Sequence, residues 1–341
     1  MSNPEPHVTD VKEGASAPSS VRFVVVDTDL GVDDAQAIGM LLSAERRGEL
    51  RVLGITTVAG NTSVKNATRN TRRLLATYGR LDVPVYAGAH CFLLSGTDDP
   101  PDQYHGENGL GNARFEEPLP AVKQRPEHAV TALSRLASEH KGELTVVALG
   151  PLTNIALAAR MDQEFMTNIN DIYLMGGNYT GLGNVTPSGE FNFVCDPEAA
   201  NIVLASVRRP ILIASWEVCL NHGLDMAWRK TVLGAVDSPA ARFFGAAERA
   251  VLEDCTFGDW ITCDQAAAAM LIRPEIVLKQ STHHATVELH GKFTRGQMVV
   301  DRRSWSEPTA LGRNVTVIEA LDLELYKKML LDAFGHPGVV F

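Results

Sequence analysis

The stretch from Arg22 to Arg47, RFVVVDTDLGVDDAQAIGMLLSAERR, decides how the rest of the chain is read. Its opening, RFVVVDT, is a short β-branched run of the kind that forms a strand buried on both faces. DAQAIGMLLSAERR then carries apolar residues at helical spacing. Between and across the two lie Asp27, Asp29, Asp33 and Asp34, four carboxylates within eight residues. A helix start explains one or two of them, because carboxylates accept the free N–H groups there and complement the helix dipole. Four at once point to a hard divalent cation, calcium or magnesium, which takes oxygen ligands and offsets their repulsion. An EF-hand loop counted from Asp27 would need an oxygen ligand, Gly and Glu where the chain has Gly31, Val32 and Ile38. That loop is excluded, so the remaining ligands must come from other strand ends. A phosphate-binding GxxxxGK[ST] string is also absent.

Outward from this stretch the pattern repeats. RVLGITTV (51–58), DVPVYAG (82–88), ELTVVALG (143–150), NDIYLMGG (170–177) and RRPILIAS (208–215) read as strands. Helical segments separate them at 63–78, 128–140 and 152–160, and DPEAANIVLAS precedes the last strand. Such alternation predicts an α/β fold: a Rossmann-like, open, mostly parallel sheet flanked by helices, with ligands outside the carboxyl ends of the strands. EIVLKQ, ATVELHG and QMVVDRR look like additional strands, and LDLELYKKMLLDAF like a closing helix. The connection from Gly88 to Pro126 is long enough to suggest a lid or binding loop. Residues 1–20, rich in Pro, Ser, Gly and Glu, read as a disordered tail without the apolar core of a signal peptide, leaving 21–341 as one domain.

The chain has 341 residues, 45% of them hydrophobic and 21% charged, the balance of an ordinary globular protein. Its net charge of -10 argues against nucleic acid and against anionic membrane surfaces, both of which demand clustered Lys and Arg. Five scattered cysteines without metal-ligand spacing fit a reducing, cytoplasmic setting.

DTDLGVDDAQAI (27–38) resembles the DxDxGxDD signature of the inosine-uridine nucleoside hydrolase family, and four further segments follow in the family's order. They are TVAGN, HGENGL, LGPLTNIA and GNVTPSGEFNFVCDPEAA. The resemblance implies the family's open α/β sheet with a calcium ion at its carboxyl edge, holding a water beside the anomeric carbon of a ribonucleoside. Carried onto this chain, Asp29 is metal ligand and general base, with Asp34, the Leu149 carbonyl and Asp264 as further ligands. Asp33, Asn61, Asn184, Glu190 and Asn192 match the positions that hold the ribose, and Asp27 supports the metal loop from behind. The family also implies a homodimer or homotetramer.

The chain departs from the family at several points. Cys263 stands where many members have the His that assists departure of the base, and a thiol is an unusual donor to a purine nitrogen. His105, in YHGENGL, aligns with a loop histidine that can approach the base. Leu30 replaces the usual Pro, and SWEVC (215–219) replaces the family's usual string, leaving Trp216 and Glu217 without a role. Asn178, Tyr179 and Trp260 are candidates for base contact or for packing. Two other readings compete with the hydrolase. One is a magnesium-dependent haloacid-dehalogenase-like phosphatase using Asp27 and Asp29, against which Gly31 stands where that group has Thr. The other is a calcium-dependent nucleoside binder that has lost turnover.

Overall fold

The computed structural model describes residues 21–94, 104–115, 124–253, 258–303, 312–335, 339 and 341. The expected tail at 1–20, part of the long connection and Cys255 lie outside them. The stretch that opened the analysis forms strand β1 (Arg22–Thr28) and helix α1 (Val32–Arg46). β2 (Leu50–Thr57), β3 (Val85–Ala87), β4 (Gln124–Arg125), β5 (Leu144–Ala148), β6 (Ile169–Met175) and β7 (Ile211–Ala214) follow. β8 (Leu224–Asp225) and β9 (Asp259–Trp260) form a separate antiparallel pair. β10 (Val277–Val287), β11 (Met298–Asp301) and β12 (Val315–Leu321) complete the main sheet.

Ten strands hydrogen-bond in the order β11-β10-β12-β7-β6-β5-β1-β2-β3-β4. From β12 to β4 every pairing is parallel, and only those of β10 with β12 and β11 are antiparallel. β1 sits centrally, so its side chains alternate between two cores: Val24 and Val26 pack on one face and Val25 on the other. The first core takes Ile38 and Leu41 of α1 with residues of helices Asp264–Ile272 and Leu323–Ala333; the second takes helices Ala129–Glu139, Thr153–Met161 and Pro197–Ser206. Ile38 is fully buried, and its truncation to Ala would cost about 2–5 kcal/mol.

From β1 the chain runs outward through β2, β3 and β4, then returns to β5 on the other side of β1 and continues through β6 and β7. Direction reverses between β1 and β5, and the crevice outside their carboxyl ends is where open α/β sheets bind ligands. Asp29 follows β1 and Leu149 follows β5, so the topology alone brings these two loops together.

Several expectations shift. α1 begins at Val32 with Gly31 as N-cap, and Asp34 reaches back to accept the Gly31 N–H at 2.8 Å. One of the four carboxylates therefore does serve a capping role. EIVLKQ and the start of ATVELHG are one eleven-residue strand, β10, bent by register shifts near Lys279. β12, whose VTVI run pairs with β7, was not anticipated from the sequence.

Candidate active site

Asp29 is fully buried at the switch point. Its Oδ2 accepts the Asn61 N–H at 2.7 Å, while the buried Oδ1 meets no donor among the described residues. The loops after β2 and β5 press glycines against this carboxylate: a Cβ on Gly60 would lie 2.0 Å from Oδ2, and one on Gly150 2.8 Å from Oδ1. Asp34 accepts from Thr28 Oγ1, from Gly31 N–H and from Asn61 Nδ2 at 3.0 Å. Asp264 opens helix Asp264–Ile272 and is buried beside Asp34. Carboxylate oxygens of Asp33, Asp34 and Asp264 lie within 4.8 Å of one another.

Burial and the neighbouring Asp34 charge push the Asp29 carboxyl well above the usual carboxylate range. Burial, followed by the charges of Asp33, Asp34 and Asp29, does the same to Asp264, and burial raises Asp33 to about 6. Three crowded carboxylates, with the Asp29 carboxylate beside Asp34, make a hard-oxygen set that fits a hard divalent cation. Asp27 lies behind, on the opposite face of β1. It accepts from Thr56 Oγ1 at 2.6 Å and Asn154 Nδ2 at 2.8 Å, with burial raising it to about 7.

Glu190, at the start of the short helix Phe191–Cys195, accepts from Asn192 N–H at 3.0 Å, Gly177 N–H at 2.7 Å and Phe193 N–H at 3.2 Å. Burial raises it to about 7. Asn192 spends Nδ2 on the carbonyls of Leu149, at 2.9 Å, and Met175, at 3.2 Å, which ties the ends of β5 and β6 together. Asn184 is exposed and accepts the Phe191 N–H through Oδ1 at 2.9 Å. His105 Nδ1 accepts the Val32 N–H at 2.9 Å, so the ring proton sits on Nε2, 3.6 Å from Asp33 Oδ1.

Of these groups Asp33, Asn61, His105, Asn184, Glu190, Asn192 and Asp264 line a cavity of about 360 Å³, and Asp27, Asp29 and Asp34 lie behind its wall. Tyr104, Trp216, Met226, Val251, Trp260 and Ile261 add an apolar group to its lining, with Tyr104 edge-on to the His105 ring, and Cys263 lies between Ile261 and Asp264 in the chain. Contact with the Cys219 thiol, and then burial, push the Cys263 thiol up, so it keeps its proton. Trp260 donates its indole N–H to Glu248 at 2.8 Å, and Glu248 forms a fully buried ion pair with Arg229. Asn178 and Tyr179 are not among the residues lining this cavity. Asn178 is buried and binds backbone groups of Leu182, Ser188 and Met298, so its role is structural. Sequence reasoning missed Gly60, Gly150 and Asn154, although TVAGN and LGPLTNIA contain all three, because nothing local shows which carboxylate they meet.

The sequence pattern described as "Inosine-uridine preferring nucleoside hydrolase" matches residues 24–328, nearly the whole chain. The chain belongs to this nucleoside hydrolase family. The inosine-uridine preferring nucleoside hydrolase of Leishmania major is 32% identical over 331 residues, 93% of this chain and 98% of that one. Uridine nucleosidase 1 of Arabidopsis thaliana is 43% identical over 183 residues, 54% of this chain. That match spans 53% of the plant protein, and this chain covers about half the length of the plant uridine nucleosidases it matches. Among solved structures, an inosine-guanosine nucleoside hydrolase superposes with a TM-score of 0.85 at 30% identity, covering 94% of this chain and all of that one. The nucleoside hydrolase fold is thus the mostly parallel sheet described above, and no described helix is long and apolar enough to cross a membrane.

Proposed function

We propose that this protein is a calcium-dependent N-ribohydrolase that converts a ribonucleoside and water into ribose and a free base. The observation that carries the reading is Asp29 Oδ1, a buried carboxylate oxygen with no donor among the described residues, at the sheet's switch point and next to Asp34, which itself clusters with Asp33 and Asp264. Asp29, Asp34, Asp264 and the Leu149 carbonyl would hold calcium; of these Asp34 and Asp264 lie within 4.8 Å of each other and of Asp33. When bound, calcium supplies a Lewis acid that makes a water more acidic and offsets the carboxylate repulsion.

The chain's own groups do the rest. Asp29 takes the proton of the attacking water. Asp33, Asn61, Asn184, Glu190 and Asn192 orient the sugar, and the carboxylates stabilise positive charge as the glycosidic bond breaks. Cys263, at the cavity wall, is the donor this reading assigns to the departing base. His105, fixed by the Val32 N–H, stands 3.6 Å from Asp33 and flanks that carboxylate.

The test is reducing-sugar release from inosine, adenosine, guanosine, uridine and cytidine, with and without calcium chelation, beside Asp29→Asn. Release that disappears on chelation and in Asp29→Asn supports the reading. Tight nucleoside binding without release would replace it with the binder, and phosphate release from nucleotides with the phosphatase.

A further inference from the structure

Glu217, left without a role by the sequence, is buried just after β7, yet its carboxylate faces backbone from a different crossover. It accepts the Tyr179 N–H at 2.9 and 3.0 Å, the Thr180 N–H at 2.6 Å and the Thr180 hydroxyl at 2.7 Å. The adjacent Trp216 N–H donates to the Gly177 carbonyl at 3.0 Å, so two consecutive residues fasten the root of the loop that leaves β6. Asn178 braces that loop internally, donating to the Leu182 carbonyl at 2.9 Å and the Ser188 carbonyl at 2.7 Å. At its tip is Asn184, which lines the cavity and is tied to Phe191 N–H.

A buried carboxylate is costly unless its oxygens find donors, and here the donors are supplied by the loop alone in three of its polar groups. The arrangement stabilises one loop conformation rather than the helix that carries Glu217. We infer that Glu217 is the positioning residue for Asn184: it preorganises the loop from Gly177 to Glu190, and ribonucleoside recognition by Asn184 depends on it. The inference rests on the proposed reading of Asn184 as a sugar-binding group.

A double-mutant cycle tests it, with Glu217→Gln, Asn184→Ala and the double variant assayed on uridine for KM and kcat, and for Kd by calorimetry. Each single change should weaken KM and Kd about tenfold with kcat altered less than about threefold, and the double variant should match Asn184→Ala alone. Calcium affinity should be unchanged throughout. Multiplicative loss in the double variant, or a fall in kcat at constant KM, overturns the inference. Should Glu217→Gln misfold, Thr180→Val removes one donor to the same carboxylate and should weaken KM about threefold, an effect that vanishes in the Asn184→Ala background. Uridine binding without turnover by the unmodified chain would sink the hydrolase reading, while the cycle would still be read in Kd.

Discussion

The two ends of the cavity are built from different kinds of chain. The acidic end comes from residues immediately after β1, β2 and β5 and from the first residue of helix Asp264–Ile272, with glycines packed against Asp29 so closely that no Cβ fits. Apart from Tyr104, the apolar group comes from the segment between β7 and that helix, short helices and the two-residue strands β8 and β9, braced by the buried Arg229–Glu248 pair. The acidic group is bound to the sheet's topology. The two meet along the chain at Tyr104–His105, whose rings contact edge to face, and at Cys263–Asp264.

That division is broken most directly at Asp29. Asp29→Asn should reduce ribose release by about a thousandfold or more while the fold, monitored by circular dichroism, persists. Gly60→Ala places a methyl group against Asp29 Oδ2 and should lower kcat about a hundredfold, with weaker calcium binding by calorimetry. Activity near that of the unmodified chain would show that the cradle yields, and that the acidic end is not as fixed as its packing implies.

The acidic end should also reveal itself in stability without any substrate. Burial raises Asp27 and Glu190 to about 7, so the folded chain binds their protons more tightly than the unfolded chain does. With calcium chelated, the contribution of these two groups is greatest at the acid end of the range and falls as pH rises from the ordinary carboxylate value through about 7, by roughly 3–4 kcal/mol per group at most. Glu190→Gln should flatten the slope of Tm against pH between about 4.5 and 7.5. An unchanged slope would assign it to other groups.

The smallest effect belongs to the apolar end. Trp260→Phe keeps an aromatic ring but removes the donor to Glu248, leaving a buried acceptor at a cost of about 1–3 kcal/mol. KM should shift a few-fold, differently for purine and pyrimidine nucleosides, with kcat on the better leaving groups preserved. A kcat loss as large as that of Gly60→Ala would mean that the ends are mechanically one.

Legibility in the sequence follows the same division. The β1–α1 stretch revealed its strand, its helix and its carboxylates because all of that information is local, and the alternation that follows was enough for the parallel sheet. Asp264 was reachable only through resemblance, since no spacing joins it to Asp34. Asn178 and Tyr179 drew attention as polar and aromatic residues after a strand, yet one braces a loop and the other donates its backbone N–H to Glu217. Glu217 itself was unreadable because its partners are backbone groups, which leave no mark on composition or motif.

The switch point also sets an order of assembly during synthesis. The aspartates of β1 and α1 leave the ribosome early, but β5 must pair with β1 before Leu149 arrives, and Asp264 follows near the far end of the chain. Until then those carboxylates remain hydrated and apart from their partners. A partly made chain consequently carries the aspartate signature without the assembled carboxylate cluster, which closes only with the last long-range contact.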